Sequence, residues 1–94
     1  MTLLALITFT DQGVRNIQNT VARASAFKES VEAAGGKVLT QLWCLGEFDG
    51  CVVFESPDDL TAARLLLDLE KQGNVRTKTL RVFDNTEITS ILGN

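Results

Sequence analysis

Residues 36–55, GKVLTQLWCLGEFDGCVVFE, decide the fold of this chain. Two runs rich in Val, Leu, Trp and Phe, at residues 37–44 and 51–55, flank a short loop at residues 45–50. Such side chains suit pleated, half-buried strands, and the two glycines and the Asp of the loop are typical turn residues. The stretch therefore predicts a central β-hairpin. The only Trp and both Cys lie within a few residues of its turn, so a functional site is first sought there.

Apolar patterns place two further strands and two helices around the hairpin. Strands are predicted at residues 2–10 and 75–83, one helix from Asn19 or Thr20 to about Ala34, and a second from Ser56 to about Gln72. Both helices carry apolar residues at spacings of three and four and end at glycine, and a Ser-Pro-Asp-Asp run with Ser56 as the N-cap starts the second. Residues 14–19 are compatible with a loop or with an irregular helical turn.

The order β-α-β-β-α-β predicts a ferredoxin-like α+β fold, with a four-stranded antiparallel sheet and two helices on one face. The first strand is apolar on both sides, with Leu3, Ala5 and Ile7 on one and Leu4 and Leu6 on the other. An uncovered apolar face of several hundred Å² is unusual in a monomer. We therefore expect two copies to pack face to face as a dimeric α+β barrel. Residues 1–84 form the predicted domain and residues 85–94 a C-terminal tail.

Strict alternation along the hairpin makes two detailed predictions. In the first arm, Val38 is expected to share a sheet face with Thr40 and Leu42. If the turn is centred between residues 47 and 48, Cys44 and Cys51 lie directly opposite each other. That position permits a disulfide and a redox switch, whereas two reduced thiols that act as small apolar groups are the favoured alternative.

The composition argues against several classes of binding partner and against some cellular locations. The chain has 94 residues, a formal net charge of −3 and no basic run, which argues against nucleic acid and anionic membranes as partners. The N-terminal MTLLALITFTDQG resembles a signal peptide, but it has no basic residue before its short apolar run and fits a buried first strand better. Two Cys are too few for a secreted disulfide scaffold. We expect a cytoplasmic protein.

Several short stretches together resemble the GYD family of dimeric α+β barrel proteins. They are LITFTDQG at residues 6–13 leading into Arg-Asn-Ile at 15–17, GEFD at 46–49, SPDD at 56–59 and GNVRTKTL at 73–80. The resemblance covers about residues 3 to 83 and implies a fold and an assembly type more than an activity. The Gly-x-Tyr-Asp motif of the family reads Gly46, Phe48 and Asp49 here, so the phenolic hydroxyl of the family's Tyr is missing.

The chain contains neither His nor Tyr, which limits its chemistry. Haem ligation by His, His-based acid–base catalysis and Cys-His or Ser-His nucleophiles are excluded. Two Cys without His make an incomplete zinc site, so no metal and no cofactor are predicted. Asp49, beside Glu47, is the one candidate for a catalytic acid or base, and a turn-forming role is the favoured alternative.

Four residues near the hairpin and the last strand form the predicted ligand pocket: Trp43, Phe48, Asp49 and Arg76. The expected ligand is small, partly apolar and anionic. Aromatic residues at such positions also serve as core or interface, and basic ones such as Arg15, Arg76 and Lys78 as a solvated edge.

Three functions are compatible with these residues and with the predicted fold. The first is a homo-oligomeric ligand-binding or accessory module. The second is a cofactor-independent oxygenase or isomerase, by analogy with other proteins of this fold. The third is a structural protein whose tail, from Asp84 onward, clasps a neighbouring subunit.

Overall fold

The computed structural model describes residues 1–93 and contains one four-stranded antiparallel sheet with the strand order β2-β3-β1-β4. The elements are β1 (Thr2–Phe9), α1 (Asp11–Arg15), a 3₁₀ turn (Ile17–Asn19), α2 (Thr20–Ala33), β2 (Lys37–Trp43), β3 (Gly50–Glu55), α3 (Asp59–Lys71), β4 (Val75–Val82) and α4 (Asn85–Leu92). The long helices α2 and α3 pack on one face of the sheet, so the predicted ferredoxin-like α+β fold is confirmed. Residues 14–19 adopt the helical alternative. No helix among residues 1–93 is long and apolar enough to cross a membrane.

The core lies between the sheet and these two helices. At its centre Phe54 of β3 contacts Phe27 of α2, and the two rings meet edge to face with centroids 5.5 Å apart. Leu3 and Ala5 of β1, Val52 of β3, Val31 of α2, and Ala62 and Leu65 of α3 complete the buried cluster. Burial of this apolar stripe supplies most of the stabilisation that holds α2 and α3 on the sheet.

The start of α3 differs from the prediction that Ser56 is its N-cap. Asp58 takes this role, because its extended backbone lets the carboxylate accept the Thr61 N–H at 2.7 Å. Ser56 is buried instead, and its hydroxyl donates to the Asp58 carbonyl at 2.8 Å. The acidic cap faces the positive end of the helix, and the hydrogen bond to Thr61 lowers the pKa of Asp58.

A β-bulge in β2 overturns the predicted alternation of the first hairpin arm. Val38 lies opposite Phe54, but Thr40 lies opposite Val53, so Leu39 is the extra residue. After the bulge every side chain changes face, and Val38 therefore shares the helix side with Gln41 and Trp43 rather than with Thr40 and Leu42.

The other face of the sheet, called here the open face, carries apolar side chains from all four strands. They are Leu4 and Leu6 of β1, Leu42 of β2, Cys51 and Val53 of β3, and Leu80 of β4. Leu42 keeps 57% and Leu80 52% of its surface exposed. A compact monomer of this mass is expected to expose about 5,350 Å², whereas this chain exposes 6168 Å².

The helix α4 follows β4 after two residues and occupies most of the predicted tail. A capping box formed by Asp84 and Glu87 starts it, and an ion pair of 3.4 Å between Glu87 and Arg81 fixes it to the end of the sheet. Ile91 and Leu92 remain exposed on α4. The division into a domain at 1–84 and a tail at 85–94 stays a prediction, and Asn94 lies outside the described residues.

Candidate functional site

The structure divides the predicted ligand residues between the two faces of the sheet. Trp43 and Asp49 line a cavity between the sheet and α2, called here the helix-side cavity. Arg76 is opposite Thr8 of β1 and therefore lies on the open face. Phe48 lies at this side too, since the ammonium of Lys78, a neighbour of Arg76 on the open face, is 5.9 Å from the centre of its ring. The four residues do not form one pocket.

The helix-side cavity has a volume of about 70 Å³ and lies at the end of the sheet where β3 begins. Most of its wall is apolar and comes from Ile7 and Phe9 of β1, Phe27 of α2, Val52 of β3, Leu69 of α3 and Val75 of β4. Small residues leave the space open, because Ala24 of α2 and Gly50 of β3 face it without larger side chains.

Two polar side chains of β2 use their donors to hold α2 beside the cavity. The indole N–H of Trp43 donates to the hydroxyl of Thr20 at 3.0 Å, and the amide of Gln41 donates to the carbonyl of Ala24 at 2.9 Å. These bonds give a partner to the indole N–H of Trp43 and to the amide N–H of Gln41, which would otherwise be unpaired where the side chains are shielded from water. Trp43 therefore has a structural role as well as a position on the cavity wall.

Asp49 connects the hairpin loop to the end of β1 through three hydrogen bonds. Its Oδ2 accepts the Phe9 N–H at 2.8 Å, its own N–H donates to the Ile7 carbonyl at 2.8 Å, and its carbonyl accepts the Cys44 N–H at 2.8 Å. The carboxylate thus binds a backbone group forty residues away in the chain. This geometry gives the Asp of the GEFD motif a structural task that requires no catalysis.

Arg23, which is not among the site residues predicted from the sequence, lies on the wall of the helix-side cavity. Its guanidinium donates to the carbonyl of Asn16 at 2.8 Å and, more weakly, to that of Gly13 at 3.5 Å. A signal was present in the sequence, because Arg23 follows Thr20 by three residues and precedes Phe27 by four, so all three share one side of α2.

The two cysteines are free thiols. The predicted register, in which Cys44 and Cys51 lie directly opposite each other, is wrong, because the turn is centred one position earlier in the chain. Cys51 lies opposite Leu42, and Cys44 bonds to Asp49, because the anchoring of Asp49 on β1 fixes where the loop begins. Burial, together with the neighbouring Cys44 thiol, raises the pKa of Cys51. Within residues 1–93, no group of three His, Cys, Asp or Glu side chains is placed to hold a metal ion.

A close contact between α1 and the loop after α3 explains two of the family-like stretches. The Thr10 hydroxyl donates to the Gly73 carbonyl, at 2.6 Å, and the Gln12 amide donates to the Asn74 side chain at 2.9 Å. Gly13 is buried here, and a Cβ on it would lie 2.1 Å from the Asn74 carbonyl oxygen. The DQG and GN segments are therefore two halves of one contact beside the cavity.

Comparison with known proteins identifies the family. The GYD domain model matches residues 3–92, nearly the whole chain, and the chain belongs to this family. A relative from Thermus thermophilus is 30% identical over 92 residues, 97% of each chain, and is named glutamine synthetase and cystathionine beta-lyase binding protein.

A solved structure shares the fold with a TM-score of 0.65 and 14% sequence identity, over 92% of this chain and 97% of the other. It is the 5-chloro-2-hydroxyhydroquinone dehydrochlorinase TftG from Burkholderia phenoliruptrix AC1100 in complex with 2,5-dihydroxybenzoquinone. At this identity the likeness supports the fold and leaves the activity open.

Proposed function

We propose that this GYD-family protein is a homo-oligomeric accessory module of the cytoplasm, which acts by binding a second copy of itself and a protein partner. The observation that carries the proposal is the open face, where leucines from β1, β2 and β4 surround Cys51 and Val53, while the long helices α2 and α3 pack on the opposite face. The proposed module is the domain at 1–84, and the tail at 85–94 adds the exposed side chains of Ile91 and Leu92 to its contact surface.

A second copy is the occupant that fits the open face. The chain exposes about 800 Å² more than a compact monomer of its mass, and one partner contributes a similar area to a standard stable interface. A two-fold axis through the sheet would bring the leucines of both copies together. Phe48, Arg76 and Lys78 stand at this face, so we assign the predicted contacts of Phe48 and Arg76 to the interface region rather than to the cavity.

A protein partner is proposed from the name of the Thermus relative. That protein is named for binding glutamine synthetase and cystathionine beta-lyase, and its 30% identity extends over 97% of both chains. We infer that the present protein binds an enzyme of the same kind, with glutamine synthetase as the first candidate. Catalysis by the protein itself has less support, since the carboxylate of Asp49 is bonded to the Phe9 N–H and the chain offers neither His nor Tyr.

Sedimentation equilibrium at about 10 μM tests the self-association. We expect a dimer or larger species for the wild type and a monomer for Leu80→Glu, because a carboxylate in the centre of an apolar interface is strongly unfavourable. Leu67→Glu is the matched control, since Leu67 is also exposed but belongs to α3 on the opposite side. A monomeric wild type, or equal effects of the two variants, would contradict the proposal.

Titration calorimetry with purified glutamine synthetase from the same organism tests the partner. We expect saturable binding of the wild-type protein, with an affinity that Asp49→Asn leaves within a factor of about three because this change keeps the hydrogen-bond acceptor. If neither glutamine synthetase nor cystathionine beta-lyase gave a heat of binding or co-sedimented with the protein, the accessory role would be rejected. The proposed dimer is tested separately by sedimentation equilibrium.

A further inference from the structure

We propose that the helix-side cavity binds a short-chain carboxylate that carries a hydroxyl or an amino group, and that Arg23 anchors its carboxylate. This site is independent of the protein partner and of the open face. The wall of the cavity is largely apolar and carries one guanidinium, of Arg23, and one carboxylate, of Asp49, which are not joined in an ion pair among residues 1–93.

The charge of Arg23 is the first argument. Its two acceptors are the neutral carbonyls of Asn16 and Gly13, so they leave the positive charge uncompensated. The ion pairs among residues 1–93 join Arg64 to Asp68 and Arg81 to Glu87, and neither includes Arg23. A guanidinium has five N–H donors in a planar fork that matches a carboxylate, and the two carbonyls occupy only part of that fork.

The side-chain donors of β2 in the wall are already occupied, which is the second argument. The donors of Trp43 and Gln41 are bonded to Thr20 and to the carbonyl of Ala24. They contribute surface to a ligand but need no partner from it. Arg23 is therefore the group in the wall from which a ligand gains the largest new interaction, and a charge-assisted bond in a half-enclosed site is stronger than one in water.

Asp49 refines the chemistry of the ligand. Its Oδ2 accepts the Phe9 N–H, and within residues 1–93 no protein donor is bonded to Oδ1. Because this carboxylate would repel a purely anionic ligand, the ligand needs a donor group as well as its own carboxylate. A hydroxyl or ammonium near the carboxylate satisfies Asp49 while the carboxylate satisfies Arg23.

The volume of the helix-side cavity limits the size of the ligand. One water needs about 10–15 Å³ of such volume, so the cavity of about 70 Å³ accommodates a ligand of about five to seven heavy atoms. The side chains of Phe27, Val52 and Val75 offer an apolar surface for one or two carbon atoms. Lactate and alanine have this size and both required groups and serve as probes.

The fluorescence of Trp43 measures binding directly, because Trp43 is the only Trp and lines the cavity. We expect a saturable change with L-lactate or L-alanine, weaker binding of propionate, which lacks the donor, and no saturation with propane-1,2-diol, which lacks the carboxylate. Arg23→Gln should weaken lactate or alanine binding at least tenfold, since it removes a charge-assisted hydrogen bond. Arg15→Gln, on the exposed surface of α1, is the matched control and should bind as the wild type does.

Two results overturn the proposal. One is the absence of a saturable change with lactate, alanine and propionate up to about 10 mM, which would place any dissociation constant above that concentration. The other is equal affinity of the wild type and Arg23→Gln. Equal affinity for propionate and lactate would overturn the part assigned to Asp49. Should Arg23→Gln fail to fold by circular dichroism, Ala24→Leu replaces it, because the larger side chain fills the cavity and is expected to abolish binding.

Discussion

Replacement of Asp49 by Ala is expected to destabilise the protein by about 2–3 kcal/mol, because the Phe9 N–H then loses its acceptor. A hydrogen bond to a charged group contributes about 1.5–3 kcal/mol, and a half-buried donor left unpaired costs a similar amount, about 1–3 kcal/mol. The bond in question is 2.8 Å long and joins residues forty positions apart. The two backbone bonds of Asp49, to Ile7 and Cys44, remain available to the variant, which limits the loss to the side-chain contribution.

Asp49→Asn retains an oxygen acceptor without the charge and should lose about 1 kcal/mol. Glu47→Ala is the control, since Glu47 is exposed in the same loop and has no hydrogen bond among the described residues, and its change should stay within about 0.5 kcal/mol. All three values follow from urea unfolding monitored by circular dichroism at one protein concentration, since association would otherwise shift the midpoints.

A loss below about 0.5 kcal/mol for Asp49→Ala would refute the reasoning, because the exposed control is expected to change by no more. Both oxygens of the carboxylate would then be free of a structural task, and not Oδ1 alone. A loss for Glu47→Ala equal to that for Asp49→Ala would likewise place the effect in the charge of the loop rather than in the bond to Phe9.

Three further changes probe the fold. Gly13→Ala should cost about 2–3 kcal/mol, because its Cβ would lie 2.1 Å from the Asn74 carbonyl oxygen and the two backbones must separate, as urea midpoints will show. Phe54→Ala should cost about 3–5 kcal/mol, since a fully buried ring is removed, and a loss under about 1 kcal/mol would deny it a central place in the core. The pKa of Asp58 is lowered by its bond to Thr61, so its contribution to stability is present above its ordinary pKa and is lost as the pH falls through its folded value. The stability difference between the wild type and Asp58→Ala should therefore be constant from about pH 6 to 7 and shrink below about pH 4, and a constant difference down to about pH 2 would contradict the cap.

The amino-acid sequence by itself determined the fold class. Alternating apolar residues mark the hairpin, spacings of three and four mark α2 and α3, and the order of these elements admits few topologies. The apolar character of both sides of β1 also indicated in advance that the open face would carry apolar side chains. Local chemistry is enough for these conclusions because each signal lies within about ten to fifteen residues of chain, roughly the length of one element.

The tertiary structure alone decided the register of the hairpin and the make-up of the candidate site. The bulge at Leu39 and the bond of Asp49 to Phe9 depend on strands that the hairpin meets only after folding. They determine the sheet face on which Trp43 lies, and they place Leu42 rather than Cys44 opposite Cys51. The helix-side cavity combines Arg23, Trp43 and Asp49, which local patterns do not relate, because a cavity is what remains when distant side chains fail to fill the space between layers.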